Sequence, residues 1–231
     1  PRRPRRRRSV SLRRRAPGAV RPRRPPLGLE LEQVRQQRAL GGKQDAGVVQ
    51  VAFLAAVVKS GKPVLFVGMK KQTHATVKSL ADRIGQPYVI DRWLGGTLTN
   101  FGQIRGRARY LVETEEKFAQ GEFKKYTKFE QSKKMEEVER LEKKMGGIKG
   151  MYELPGAIVI ADVKEAGLVI SEARKMRVPL VGISDTNADP SQIDFPIPGN
   201  DDALSSLRLL LGSIGKAILS AKDAAKDADK K

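Results

Sequence analysis

Residues 92–101 have the sequence RWLGGTLTNF and join two parts of the chain with different patterns. Before them, short β-branched runs alternate with helical segments; after them comes a long charged stretch with few apolar positions. The adjacent glycines permit backbone angles that residues with a Cβ avoid. We interpret residues 92–101 as a shaped loop where a compact domain meets a protruding one. An ordinary glycine turn with a packed tryptophan is the simpler alternative.

Outward from this loop, the sequence predicts an alternation of strands and helices. Continuous apolar runs are typical of strands buried on both faces, and proline is typical of edge strands. The predicted strands are 64–68, 88–90, 157–162, 179–185 and, at an edge, 195–197. The predicted helices are 48–58, 70–84, 166–176 and a last one, capped by Asp201 or Asp202, to about residue 221. Short strand–helix–strand links indicate an α/β fold with a parallel sheet and helices on both faces.

Residues 103–147 interrupt this alternation. Two narrow apolar stripes at helical spacing predict an antiparallel, coiled-coil-like helical hairpin. Each arm is about seventeen residues and would project roughly 25 Å. Gly146 and Gly147 are predicted to end the second arm, where glycine is common. We therefore divide the chain into a basic extension (1–44), an α/β domain (45–102 and 148–221), the hairpin (103–147) and a charged tail (222–231).

The excess of positive charge indicates a polyanionic partner, with nucleic acid as the leading candidate and an anionic membrane surface as the weaker alternative. The 231 residues carry a formal net charge of +19 and no cysteine, which excludes disulfides and thiolate sites. Residues 1–26 hold twelve arginines and no acid, and we expect them to be disordered when free. This tail could follow phosphates or act as a targeting segment. Residues 30–40 could form a short helix. The sequence contains no run of about eighteen apolar residues, so it predicts no membrane-spanning helix.

Signals for enzyme chemistry are weak. Residues 68–73 match neither a dinucleotide fingerprint nor a phosphate-binding loop. The one histidine, His74, is predicted to be structural. Aspartates that follow strand ends could gather round a cation or could serve capping and turn roles. These aspartates are Asp162, Asp185 and Asp189, with Asp201 and Asp202 farther along.

Basic side chains near the 92–101 loop are the better candidates for function. Arginine matches phosphate with two hydrogen bonds, and Trp93 could stack on or wedge between bases. A solvated charged helix is the alternative interpretation for Arg105, Arg107 and Arg109. With the tail, the candidate RNA-binding residues are Arg5, Arg6, Arg7, Arg8, Arg13, Arg14, Arg15, Lys70, Lys71, Arg92, Trp93, Arg105, Arg107 and Arg109.

Five motifs in order give the chain a close resemblance to the bacterial-type ribosomal protein S2 family. They are VLFVG (64–68) with KKQ (70–72), RWLGGTLTNF (92–101), LEK (141–143) with GGIK (146–149), DTNADP (185–190) and IPGNDDA (197–203). The family's usual amino-terminal segments, one resembling GVHFGH and one resembling IHIIDL, are not found in residues 1–44.

The resemblance implies a flavodoxin-like doubly wound domain that carries a helical hairpin. It implies a non-catalytic role in translation on the small ribosomal subunit, in the cytoplasm or an organelle. The implied partners are small-subunit rRNA and neighbouring proteins, including the mRNA-binding protein S1 in bacteria. In some members a metal ion lies near the aspartates that match Asp185, Asp201 and Asp202. The rival hypothesis is a nucleotide- or sugar-phosphate-binding enzyme on a Rossmann-like scaffold, which the missing phosphate loop and the charge disfavour.

Overall fold

The computed structural model describes residues 46–229, so the predictions for the arginine tail and for residues 30–40 lie outside the described residues. The elements in chain order are α1 (Ala46–Lys59), β1 (Val64–Val67), α2 (Lys71–Ile84), β2 (Tyr88–Val89), α3 (Phe101–Ala119), α4 (Lys128–Met145), β3 (Ala157–Ile160), α5 (Gly167–Met176), β4 (Leu180–Ser184), β5 (Phe195–Pro198) and α6 (Leu204–Asp229). Short 3-10 helices lie at Glu122–Lys125, Gly146–Ile148 and Pro190–Gln192.

The five strands form one parallel sheet in the order β2-β1-β3-β4-β5. This order is that of flavodoxin-like folds, in which the chain reverses direction across the sheet between β1 and β3. The predicted α/β fold is therefore confirmed. The proline-containing strand β5 lies at an edge, as expected, because Pro196 and Pro198 have no N–H to donate.

Two hydrophobic cores lie on the two faces of the sheet. Residues alternate between them along each strand, so that in β1 Val64 and Phe66 enter one core while Leu65 and Val67 enter the other. The first core is covered by α1, α2 and α6. The second core is covered by α5, the 92–101 loop and the bases of α3 and α4. Burial on both faces explains why the strands are continuous apolar runs.

Helices α3 and α4, of 19 and 18 residues, occupy the region predicted to be a hairpin. Ile104, Ala108 and Met145 anchor their bases in the second core. Thr127 and Glu130 cap the start of α4 reciprocally through side chain and backbone. Farther along the arms, Leu111 of α3 is fully buried, whereas Met135 of α4 is 52% exposed. A coiled-coil pairing of the two helices stays a prediction.

Helix α4 ends at Met145, directly before the two glycines, as predicted, but neither glycine has a left-handed backbone angle. Gly146 keeps right-handed helical angles (φ −54°) and leads into the 3-10 helix Gly146–Ile148. Gly147 instead lets this turn approach strand β2, because a Cβ there would lie only 2.2 Å from the backbone oxygen of Tyr88. Close approach, and not a left-handed helix cap, is the reason for glycine at position 147.

Helix α6 extends beyond the predicted end at residue 221 and continues to Asp229. Asp201 and Asp202 do not cap it, since the Oδ1 atom of Asn200 accepts the backbone N–H groups of Asp202 and Ala203. By length and composition, Leu204–Ala225 is the one candidate membrane span among residues 46–229. Its Leu207, Leu211, Ile214 and Ile218 are buried in the first core, as in the core helix of a globular domain.

Candidate nucleic-acid interface

The carboxylate of Glu172 holds the 92–101 loop in place. Glu172 lies on α5 and is 8% exposed. Its Oε1 accepts hydrogen bonds from Trp93 Nε1 (3.1 Å) and Gly96 N (2.7 Å). Its Oε2 accepts hydrogen bonds from Leu98 N (3.0 Å), Thr99 N (3.2 Å) and Thr99 Oγ1 (3.2 Å). One side chain therefore satisfies five donors of a loop that has no regular secondary structure.

The loop keeps Glu172 ionised. Burial raises the pKa of this carboxyl group, but the hydrogen bonds from Gly96, Leu98, Thr99 and Trp93 outweigh burial, and the pKa lies below its ordinary value. Hydrogen bonds to an ionised acceptor are stronger than those between neutral groups. The buried negative charge and the loop geometry thus stabilise each other.

Trp93 does not have the role that its sequence position suggested. The side chain is 3% exposed and packs in the second core, and its indole N–H is used by Glu172. The ring is therefore not available to stack on a base, and the prediction that Trp93 contacts RNA by stacking is wrong. The simpler alternative, a glycine turn with a packed tryptophan, describes this residue correctly.

Of the two loop glycines, only Gly96 needs to be glycine. Its φ is +87°, a left-handed angle, and a Cβ would lie 3.1 Å from that of Asn100. Gly95 does not have a positive φ, and its missing Cβ faces open space. The expectation of a costly backbone conformation is confirmed for Gly96 and wrong for Gly95.

We expect Gly96→Val to destabilise the protein by about 1–3 kcal/mol, because valine is strained at this left-handed angle. It should also displace the first turn of α3 relative to the sheet, since Asn100 lies at that point. Gly95→Ala is the matched control and should change the free energy of unfolding by less than about 0.5 kcal/mol. The measurement is denaturant unfolding of both variants, and equal stabilities would remove Gly96 as a determinant of the loop.

Exposed arginines lie on and just after the anchored loop. Arg92 is at its start, and Arg105, Arg107 and Arg109 are exposed on α3, interleaved with the buried positions Ile104 and Ala108. None of the four forms an ion pair with another of residues 46–229, so their guanidinium groups are open to an external anion. Lys71, at the start of α2, is exposed as well.

Lys70 is not open in this way. Its Nζ lies 2.9 Å from Asp201 Oδ1 and 3.0 Å from Asp202 Oδ1. Burial lowers the pKa of the ammonium group. The two aspartates raise the pKa by more than burial lowers it, so the pKa lies above the ordinary value. The prediction that Lys70 binds phosphate is therefore not supported, because its ammonium group is already ion-paired with two carboxylates.

Asp162 fills the place where this fold would receive a ligand phosphate. It follows β3, is fully buried, and its Oδ2 accepts the backbone N–H groups of Met69 and Lys70, both at 3.0 Å. These N–H groups stand between β1 and the start of α2, at the reversal of strand order, where doubly wound folds bind anions. An internal carboxylate thus blocks this anion site. Burial raises the pKa of Asp162, although the two hydrogen bonds oppose the rise.

The remaining polar candidates have local structural roles. Asp189 caps the 3-10 helix Pro190–Gln192 by accepting the N–H of Ser191 at 2.9 Å. His74 Nε2 lies 3.0 Å from the backbone oxygen of Met69. The turn and capping alternative therefore describes Asp162 and Asp189, while His74 is structural, as predicted.

Comparison with known proteins agrees with this architecture. A sequence model of the family described as ribosomal protein S2 matches residues 48–221. The small ribosomal subunit protein uS2 of Roseiflexus castenholzii is 49% identical over 171 residues, which cover 74% of this chain and 65% of the relative. The protein of the same name from Roseiflexus sp. strain RS-1 is 48% identical over 167 residues, 72% of this chain and 64% of the relative. The chain belongs to the ribosomal protein S2 family. It spans just under two thirds of the length of these two relatives.

The metal ion that the S2 family resemblance implies does not fit the residues in place here. Asp185, Asp201 and Asp202 each offer an oxygen, and these three atoms lie within 4.8 Å of one another. The ammonium group of Lys70 already contacts two of the three carboxylates. A divalent ion at this cluster would meet that positive charge. We therefore assign no metal role to the cluster.

The role of Glu172 was not predicted from the sequence of this S2 family member. A weak signal was present, because Glu172 follows Val169 by three residues and precedes Ala173, on the side of α5 that packs in the core. A lone carboxylate on such a face needs a set of donors. Its partners lie 73–79 residues earlier in the chain, beyond the range of any local pattern.

Proposed function

We propose that this chain is a structural component of the small ribosomal subunit that binds small-subunit rRNA and catalyses no reaction. The observation that carries the proposal is the Glu172 anchor, which holds exposed arginines in a fixed position beside the second core of an S2 family domain. RNA helices are recognised largely by shape and backbone. A rigid surface with Arg92, Arg105, Arg107 and Arg109 suits that task.

Neighbouring small-subunit proteins are the proposed protein partners, with the mRNA-binding protein S1 among them in a bacterial ribosome. The proposed location is the ribosome, in the cytoplasm or an organelle. The tail arginines Arg5–Arg8 and Arg13–Arg15 are proposed to bind phosphates without sequence preference, through counterion release. The nucleotide-binding enzyme is the weaker hypothesis, because Asp162 occupies the N–H groups that a nucleotide phosphate would need.

The direct test replaces Arg105, Arg107 and Arg109 together by alanine. We expect weaker binding to small-subunit rRNA and a log–log salt slope that is flatter by roughly 0.7–0.9 for each phosphate that the variant no longer neutralises. The matched control removes the same charge elsewhere, at the exposed residues Lys59, Lys164 and Lys175.

Binding is measured across a salt series, together with co-sedimentation with small subunits. A chain that stays at the top of the gradient and binds a nucleotide would contradict the proposal. The same series on a chain that begins at residue 27 tests the tail: an unchanged slope would show that the tail binds no phosphate.

A further inference from the structure

A second basic surface lies on the opposite face of the sheet, between α2 and α6. It is an open groove of about 340 Å³. Its floor contains Leu80 and Leu211, which belong to the first core. Its walls include Thr76, Ser79, Arg83 and Arg208. The Glu172 anchor and Trp93 belong to the second core, so the sheet separates this groove from the 92–101 loop.

Close packing of the two helices gives the groove a firm base. Gly215 of α6 faces Leu80 of α2, and a Cβ at position 215 would lie 2.3 Å from Leu80 Cδ1. The two helices therefore touch at this point. Beside the contact, the small residues Ala75 and Gly212 leave the groove open. A bound group would meet backbone and short side chains held by a packed core.

The polar groups that line the groove are hydrogen-bond donors of the kinds that commonly bind anions. Arg83 and Arg208 are exposed, and no carboxylate lines the groove. Neither guanidinium group is hydrogen-bonded or ion-paired within residues 46–229. Thr76 and Ser79 add hydroxyl groups on the α2 wall. The acidic neighbour Asp82 is exposed on α2 but does not line the groove, and Lys78 and Lys216 add positive charge on the two helices.

We propose that this groove binds the phosphate backbone of a second segment of rRNA, with Arg83 and Arg208 as the phosphate ligands. A guanidinium group can bind a phosphate through two parallel hydrogen bonds. A shallow, open groove without carboxylates suits a continuous polyanion. This inference rests on the proposed function and extends it: the domain would lie between two RNA segments, one on each face of the sheet.

The test uses the full chain with Arg83→Gln and Arg208→Gln together. We expect roughly tenfold weaker binding to small-subunit rRNA and a log–log salt slope flatter by about 1.4–1.8, for two phosphate contacts. The matched control is Lys164→Gln with Lys175→Gln, which removes the same charge from exposed positions outside the groove. Unfolding curves of both double variants should overlay that of the original chain, since all four side chains are exposed.

A photoreactive side chain at Ser79 identifies the occupant. In assembled small subunits we expect cross-links to rRNA nucleotides. Cross-links to protein alone would overturn the inference and indicate an acidic protein segment in the groove. Equal affinities and slopes for the Arg83/Arg208 and control variants, with the original chain still bound to rRNA, would overturn it while leaving the proposed function intact. Failure of the original chain to bind rRNA would overturn both.

Discussion

Replacing Glu172 by alanine should lower the free energy of unfolding by about 3–5 kcal/mol, because a buried donor left without a partner costs roughly 1–3 kcal/mol. The substitution removes the hydrogen-bond acceptor of the indole N–H of Trp93 and of the backbone N–H groups of Gly96, Leu98 and Thr99. Water entering the emptied space would satisfy some of these donors, so the total is less than their sum. The measurement is denaturant unfolding at neutral pH.

Glu165→Ala is the matched control, since this glutamate is exposed just before α5. Its effect should stay within about 0.5 kcal/mol. Glu172→Ala should also weaken rRNA binding more than Glu165→Ala does, because the loop would no longer hold Arg92 and the start of α3. Similar stabilities for the two variants would show that the loop is held by packing alone.

Glu172 also predicts a pH dependence. Its pKa in the folded protein is lowered, so its contribution is fully present above the pKa of an unfolded glutamate, about 4.3. The contribution is lost as the pH falls through the folded pKa, because the unfolded chain then binds more protons than the folded one. Unfolding measured between pH 7 and pH 3 should therefore show a steeper loss of stability in acid for the original chain than for Glu172→Gln. Parallel curves would contradict the lowered pKa.

Replacing Gly147 by alanine should destabilise the protein by about 3 kcal/mol, at the upper end of overpacking effects. The added Cβ would lie 2.2 Å from the backbone oxygen of Tyr88 and within 3 Å of its ring. A flexible side chain could turn away, but the backbone oxygen belongs to strand β2, which is paired with β1. Strand β2 and the end of α4 would have to separate.

Gly106→Ala is the control, for which we expect a change in stability of the opposite sign. Gly106 lies inside α3, and its missing Cβ faces open space. Alanine there should stabilise the protein by about 0.5–1 kcal/mol, because glycine loses more conformational freedom in a helix. Thermal unfolding of the two variants should shift in opposite directions. A shift of the same sign in both would show that general helix effects, and not the contact with Tyr88, decide the outcome at position 147.

The sequence was sufficient for the parts of the fold that depend on local patterns. Strands β1, β3 and β4 were predicted because burial on both faces requires continuous apolar runs. Helices α2 and α5 were predicted because their apolar residues repeat at helical spacing. The end of α6 was predicted too early, since the charged residues after Ala221 resemble a frayed tail and yet remain helical.

Features that depend on distant partners could not be predicted. Gly147 was assigned to helix termination, which is a common local reason for glycine, but its actual constraint is the backbone of Tyr88, 59 positions away in sequence. Trp93 was assigned to RNA because it stands beside basic residues, whereas Glu172 and the second core enclose it. Lys70 was predicted to bind RNA, whereas Asp201 and Asp202, more than 130 positions away in sequence, contact its ammonium group.

Helix α6 has a consequence for how the protein is made. It comes after the other described elements in chain order, and it packs against α1 and α2 over the first core. At roughly 5–20 residues per second, translation of its 26 residues takes about 1–5 s. Throughout that time the first core, which includes Phe66 and Val159, lacks one of its three covering helices. The nascent chain therefore presents a partly covered first core to any chaperone near the exit of the ribosome that is making it, and this core can be completed only after α6 has left the exit tunnel.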